Sequence, residues 1–506
     1  MAVNQLKAGA ALNYCTIILS SLVGLLYTPY MLRMLGQSEY GLYSLVASVI
    51  AYLTVLDLGF GNAIVRYTAK FRAEGKVQEQ YEMFGMFFLL YVVMGLIAFI
   101  AGLFLLANTE SLFGKTMTAY ELSRAKVMVI IMVANVAVTF PMSIFGSIIT
   151  AYERFVFPKV ISIIRVILNT VVMIVLLEMG YKALAMVIVQ TVFNIITLFI
   201  NFLYCKKELG IKLHFGYFKW DFLREVTIYS LWIFLNAIMD RVYWSTGQFV
   251  LGAVAGTIAV SVFAVAIHLQ SLYLQFSTAI SSVFLPKVTA MVAKNESGEK
   301  ISNLFIRTGR IQNIVMSLLL FGFIVFGRQF IVIWAGKDYE DAYLMTLLFF
   351  ISLYIPLIQN LGITILQARN QMKFRSIAYI IIAMVALAFE IIFAKMWGGL
   401  GCAIAVSGAL LLGQGLVMNI YYHVKQGIDI PRFWMEILKM DIVPVFVTIA
   451  FIVITNKWWS VDSILSFVGC AFVYCVVYCL LYYKFSLNQY ERDLVITPVK
   501  RVLKIK

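Results

Sequence analysis

The chain has 506 residues, of which 62% are hydrophobic and 13% charged, and its net charge is +15. Soluble domains carry about 25% charged residues, so the composition excludes a water-soluble globular protein and places the chain in a bilayer. The positive charge then belongs to membrane faces that meet anionic lipid rather than to a nucleic-acid footprint, and no nucleic-acid partner is expected.

A bilayer core takes about 20 apolar residues per helix. Runs of that kind predict fourteen spans, over residues 11–32, 40–63, 84–107, 125–149, 157–178, 182–204, 226–252, 257–284, 304–327, 342–366, 376–396, 399–422, 441–456 and 460–483. The thirteenth is short. A membrane β-barrel would show alternation over about ten residues instead of these unbroken runs. Orientation follows from Lys and Arg, which stay on the cytoplasmic side. With the N-terminus inside, thirty of them fall on inner segments and nine on outer ones, while Arg241 lies within a span. Both termini are therefore expected in the cytoplasm. The first run follows a single lysine, exceeds a signal-peptide core and lacks a small-residue cleavage site, so it is expected to stay in the protein. The six cysteines show neither metal spacing nor a disulfide framework.

Polar residues inside spans are costly in lipid, and they mark either helix contacts or cavity walls. On helix one, Asn13, Thr16, Ser20, Gly24 and Tyr27 share a face. Helix two ends in TVLDLGFGNAIVRYTAKFRAEGK, residues 54–76, where Asp57 precedes Arg66 by nine positions. That is about 13 Å at 1.5 Å per residue, which places Asp57 inside the inner leaflet. Either it caps backbone N–H groups in a turn that Gly59 and Gly61 permit, or it is an inner gate that exchanges partners among Arg66, Lys70 and Lys159. Helix seven carries Asn236, Asp240, Arg241, Tyr243, Trp244, Ser245 and Gln248. Arg241 lies too deep to snorkel. It either pairs with Asp240 or Glu390 to hold helices together, or offers its planar fork to phosphate oxygens. On helix eight, His268, Ser271, Gln275, Thr278 and Ser282 line one face, with His268 either a hydrogen-bonded interior histidine or a proton relay. Glu390, in helix eleven, is a salt-bridge partner or a coupling-ion site for Na+ or H+.

Weak internal repetition sets the domain organisation. Residues 151–211 lie over a segment running from ARNQMKFRSIAY to HVKQGI at an offset near 217, and VRYTAKFRAEGK lies over LPKVTAMVAKNE at an offset near 221. Six helices separate the copies, so both keep one orientation about an axis along the membrane normal. This predicts six-helix lobes over residues 1–210 and 226–430, a cytoplasmic amphipathic linker at 211–225, and accessory helices thirteen and fourteen with a cytoplasmic tail at 431–506. There is no HExxH, GxSxG or Walker pattern, and the outer loops are short. Neither an enzyme nor a cofactor is expected.

The stretch LYTPYMLRMLGQSEYGLYSLVASVIAYLTVLDLGFGNAIVRYTAKF resembles the N-terminal signature of the polysaccharide biosynthesis protein family, the Wzx-type flippases of the MOP exporter superfamily. The resemblance is carried by Leu35-Gly36 before Glu39, by Tyr40-Gly41-Leu42-Tyr43, by Asp57-Leu58-Gly59-Phe60-Gly61 and by Arg66. It implies an all-α integral membrane protein of about 14 helices, with two pseudo-symmetric six-helix lobes and two C-terminal helices, in a bacterial cytoplasmic (inner) membrane. The implied function is alternating-access flipping of a polyprenyl-diphosphate-linked glycan while its lipid tail stays among the membrane lipids, for surface polysaccharide biosynthesis. A polysaccharide polymerase and glycosyltransferases are the partners it suggests. Arg66, Lys159, Arg165 and Arg241 would supply cations for the diphosphate, with Tyr243, Trp244 and Gln275 as further substrate contacts. Asp57, Asp240, Glu390 and His268 would serve gating or ion coupling. A MATE-like cation-coupled antiporter remains the alternative, kept open by Asp57, Asp240 and Glu390 and opposed by the buried arginines.

Overall fold

The computed structural model describes residues 5–216, 220–281, 288, 290–292, 294, 296–369, 371–457 and 463–493. Within them the secondary structure is helical. The first half comprises α1 (Gln5–Leu53), α2 (Phe60–Ala73), α3 (Val77–Ala107), α4 (Thr109–Phe113), α5 (Ala119–Ala151), α6 (Val156–Glu178), α7 (Ala183–Lys207) and α8 (Trp220–Val254). There follow α9 (Gly256–Ser281), α10 (Gly298–Trp334), α11 (Ala342–Ile358), α12 (Leu361–Ala368), α13 (Met372–Leu410), α14 (Met418–Val424), α15 (Ile430–Lys457) and α16 (Ile464–Phe485).

Among the described residues, ten helices are long and apolar enough to cross a membrane, or eleven if α11 and α12, bent by 44°, form one broken span. That measure does not reach the fourteen expected, for identifiable reasons. The first two predicted spans run together as α1, which bends at Gly36, where φ is 72° and only glycine is unstrained. Predicted spans eleven and twelve run together as α13, which bends at Trp397 and Gly398. α8 is not among the ten, and it carries Asn236, Asp240, Arg241 and Gln248 within its length.

The predicted second span, 40–63, is also broken. The helix stops at Leu53, tightens into a 3-10 turn over Thr54–Asp57, passes through left-handed Leu58 and Gly59, and restarts as α2. A left-handed leucine costs about 1–3 kcal/mol, so the knuckle is held by its surroundings. Arg66, Lys70 and Arg72 therefore ride on a separate helix from Asp57. Arg72 donates to the Ala151 carbonyl at 3.0 Å, capping the end of α5.

The chain separates by contacts into two compact units, Met1–Ala264 with Leu387–Cys402, and Val265–Ala386 with Ala403–Lys506. In the first, α5 packs between α3 and α7, while α1 packs on α6 and α8. The residues between α7 and α8 also pack here, since the His214 N–H donates to the Tyr81 carbonyl on α3 at 3.2 Å.

In the second unit α10 packs against α11, α15 and α16. Buried charge joins them. Arg310 donates from Nε to Glu491 Oε1 at 2.6 Å, from one terminal nitrogen to Glu491 Oε2 at 2.9 Å, and from the other to Glu436 Oε2 at 2.8 Å. One turn further along α10, Asn313 donates to Asp441 Oδ1 at 2.9 Å and Tyr354 donates to Asp441 Oδ2 at 2.7 Å. Tyr474, Tyr478 and Tyr482 stack along α16 at four-residue spacing, and the Tyr478 hydroxyl meets Ser317 at 2.8 Å. In lipid a buried polar group needs such a partner, so these bonds fix which faces of α15 and α16 meet α10.

Candidate functional site

Three groups of polar side chains occupy the first unit. The earliest in the chain is the Asp57 knuckle. Its carboxylate lies near the Tyr91 hydroxyl on α3 and the Gly59 backbone N–H, and that buried hydroxyl has no hydrogen-bond partner among the described residues. Ser143 and the Gly61 backbone complete the surroundings of that hydroxyl. A short acidic side chain two positions before a glycine favours such a turn over the helical bond. Arg66 sits on the exposed side of α2, with its guanidinium carbon 5.7 Å from the Tyr67 ring centroid. Nearby, Tyr67, Lys70, Glu74, Glu79, Glu82 and Phe222 line a cavity of about 250 Å³. Outside the spans, the Lys76 ammonium 2.8 Å from Glu74 holds the Glu74 carboxyl below the usual carboxylate range. The lining mixes both charge signs, so it favours neither anion nor cation.

The second group is a row of amides and cations between α1, α5, α6 and α7. Lys159 donates to Asn13 Oδ1 at 2.6 Å. Arg165 donates to Asn194 Oδ1 at 3.5 Å, and the Asn194 amide donates to Asn135 Oδ1 at 2.9 Å and to Thr139 Oγ1 at 2.8 Å. Further along, Tyr43 donates to Gln190 at 2.9 Å and Tyr30 to Glu178 at 2.6 Å. The Oδ1 atoms of Asn169 and Asn201 are buried without a partner among the described residues. Lys159 and Arg165 are half-buried, and their hydrogen-bond partners are neutral. Among the described residues no carboxylate pairs with either, and a cation in a weakly screened interior attracts an anion far more strongly than in water.

The third group joins α1, α8 and the Leu387–Cys402 piece of α13. The Tyr52 hydroxyl meets Thr246 Oγ1 and the Arg241 carbonyl, and Tyr52 lies within electrostatic reach of both Arg241 and Glu390. Tyr243, 2% exposed, lies near Glu390 and packs beside Trp244. Glu390 itself is fully buried, and neither carboxylate oxygen has a hydrogen-bond partner among the described residues. A carboxyl group in that position needs a proton or a cation. Asp240, on the same helix as Arg241, is exposed. His268 and Gln275 belong to the second unit, where the His268 ring stacks on Trp334 at 6.0 Å.

The end of the first unit at which α1 bends is clamped by carboxylates. Glu121 Oε1 accepts from Ser38 and from Thr257, each at 2.7 Å, while its Oε2 accepts from the Thr118 backbone N–H and hydroxyl, capping α5. Glu39 accepts from Tyr120 and from the Ala183 N–H, each at 3.2 Å. Thr116 donates to the Gly252 carbonyl at 2.7 Å. Gly41 lets α1 lie directly on the start of α9, since a Cβ there would collide with the Thr257 carbonyl oxygen and sit 2.7 Å from its carbon.

Sequence reasoning singled out Lys159 and Arg165 but missed Asn135, Thr139, Asn194 and the Glu39–Glu121 clamp. A signal was present for the amides, because Gln190, Asn194, Thr197 and Asn201 repeat on one face of α7. For Glu121 the visible signal is Thr118 three residues earlier, which marks only a helix start.

Fold and site together define an all-helical multi-pass membrane protein whose first unit encloses cations held by neutral partners. The sequence profile described as polysaccharide biosynthesis protein matches residues 6–292, more than half of the chain, and the chain belongs to that family. No curated protein matches it by sequence. Among solved structures, a lipid II flippase, MurJ, in an inward closed conformation aligns with a TM-score of 0.73 at 18% identity, covering 96% of this chain and 99% of its own. An inward-facing MATE multidrug transporter of the MOP superfamily aligns with a TM-score of 0.60 at 14% identity, over 80% of this chain and 99% of its own. The MATE multidrug transporter DinF-BH gives 0.60 at 15% identity, over 84% and 96%. The chain thus shares its fold with a lipid II flippase and with MATE multidrug transporters.

Proposed function

We propose that this protein is a flippase that moves a polyprenyl-diphosphate-linked oligosaccharide repeat unit across the cytoplasmic membrane of a bacterium for surface polysaccharide biosynthesis. The observation that carries this reading is the pair of half-buried cations, Lys159 and Arg165, bonded to Asn13 and Asn194 rather than to carboxylates. Such a setting suits a diphosphate and repels an organic cation. The fold shared with a lipid II flippase supports a lipid-linked substrate. In this reading both termini are cytoplasmic, the lobes 1–210 and 226–430 move against each other, and the Glu121 clamp closes the outer end. Arg241 and Arg66 add further cations, Tyr243, Trp244 and Gln275 contact the glycan, and Asp57, Asp240 and His268 serve gating. Membrane-bound glycosyltransferases and a polymerase are the natural partners at the two faces.

A second reading has one specific observation behind it. Glu390, buried with both oxygens unpartnered among the described residues, suits a Na+- or H+-coupled antiporter. Reconstituted protein and a fluorescent polyprenyl-diphosphate oligosaccharide distinguish the two. The expected result is transbilayer movement that Arg165→Ala and Arg241→Ala each slow by about tenfold or more, as loss of a charged hydrogen bond to the substrate implies. Absence of glycolipid movement, with organic-cation efflux under a proton or sodium gradient that Glu390→Gln abolishes, would establish the antiporter instead.

A further inference from the structure

Asn194 stands at a junction that the flippase reading leaves unexplained. Both its amide hydrogens are committed to α5, to Asn135 Oδ1 and Thr139 Oγ1. The Thr139 hydroxyl in turn donates to the Asn135 backbone carbonyl at 2.7 Å. Donation therefore runs one way, from Arg165 through Asn194 and Thr139 to an α5 carbonyl, and each link fixes the orientation of the next. With its nitrogen held on α5, the Asn194 amide cannot turn over, and Oδ1 faces α6 and the guanidinium. Among the described residues that oxygen is the one hydrogen-bond partner of Arg165, which leaves most of its five donors uncommitted.

The geometry points to Asn194 as the positioning residue of an anion site centred on Arg165, selecting a phosphate-bearing substrate. The inference rests on the flippase reading and says why this site holds an arginine without an acid. A neutral carbonyl orients the guanidinium without spending its charge, whereas a carboxylate at the same place would compete with the diphosphate. The remaining donors form a fork suited to two phosphate oxygens. The buried Asn169 Oδ1, one helical turn beyond Arg165 on α6, is an acceptor without a donor among the described residues and suits a sugar hydroxyl next to the phosphate.

The test measures initial rates of transbilayer movement against concentration of a fluorescent polyprenyl-diphosphate trisaccharide, in liposomes, for protein checked by size exclusion and thermal unfolding. Asn194→Asp is expected to raise KM by roughly tenfold with a smaller change in kcat, because its carboxylate pairs with Arg165. Asn194→Ala is expected to raise KM by less. In an Arg165→Ala background neither substitution should change KM further, since there is nothing left to position. KM unchanged in Asn194→Ala, or effects that add to those of Arg165→Ala, would overturn the assignment and leave Asn194 as a helix-packing residue. Should Asn194→Asp fail to fold, the Asn194→Ala and Arg165→Ala cycle decides alone. A wild-type protein that moves no glycolipid removes the flippase reading itself, and the positioning role with it.

Discussion

Arg310→Ala is expected to destabilise the protein by about 3–5 kcal/mol, the range for breaking a buried ion pair by removing one partner. The Glu491 side chain is fully buried, and the Arg310 side chain is 8% exposed. Without the guanidinium, Glu491 keeps only the Asn488 backbone N–H and side-chain amide, each at 3.0 Å, so its charge is left uncompensated. The loss also frees the Ser486 carbonyl, which Arg310 contacts at 3.2 Å, and the bond to Glu436. Thermal unfolding in detergent should show a large fall in Tm for Arg310→Ala. Arg310→Ala combined with Glu491→Gln should recover part of it, because the buried charge is then removed with its partner. A single mutant with wild-type Tm would show that residues 486–493 do not need this anchor. The network is a stability device, so under the proposed flippase function movement per folded molecule should change far less than the amount of folded protein.

Gly41→Ala is expected to open the clamped end of the first unit and, under the proposed flippase function, to slow glycolipid movement severely. The new Cβ meets the Thr257 carbonyl, which is backbone, not the tip of a flexible side chain. The start of α9 must back away from α1, which stretches the Thr257 and Ser38 bonds to Glu121, each 2.7 Å. Overpacking costs about 1–3 kcal/mol, which shifts a two-state equilibrium by roughly 5- to 150-fold toward the separated arrangement. The reporter is a cysteine at Leu45, 1% exposed and packed against Gly252, in a background lacking the six native cysteines. Membrane-impermeant maleimide added outside should label it faster when Gly41 is alanine, and glycolipid movement should fall. Labelling and movement at wild-type rates would mean that the close approach at Gly41 does not govern opening.

Much of the architecture was legible because lipid imposes a simple rule, that spanning segments be apolar and internally hydrogen-bonded. Long apolar runs therefore revealed an all-helical membrane chain. The breaks were harder to read. Gly36 is one glycine among 32, and its φ of 72° distinguishes it only once the helix is seen to turn there. The 54–59 knuckle brings Asp57 near Tyr91, 34 positions further along the chain. Predicted helices thirteen and fourteen correspond to α15 and α16, which share buried hydrogen bonds with α10. Arg310 and Asn313 lie 181 and 128 positions from the acids they meet.

The sequence by itself determined the solvent this protein folds in, its helical class and its family, because hydrophobic run length and the Leu35-to-Arg66 signature are local properties of the chain. Which charges are spent and which stay available was decided only by the tertiary structure. Arg310 and Arg165 are indistinguishable as letters in apolar helices. One meets carboxylates and becomes a brace, while the other meets Asn194 and keeps its charge, because pairing energy depends on the distance between side chains and on their burial. Neither quantity exists until helices far apart in the chain have packed.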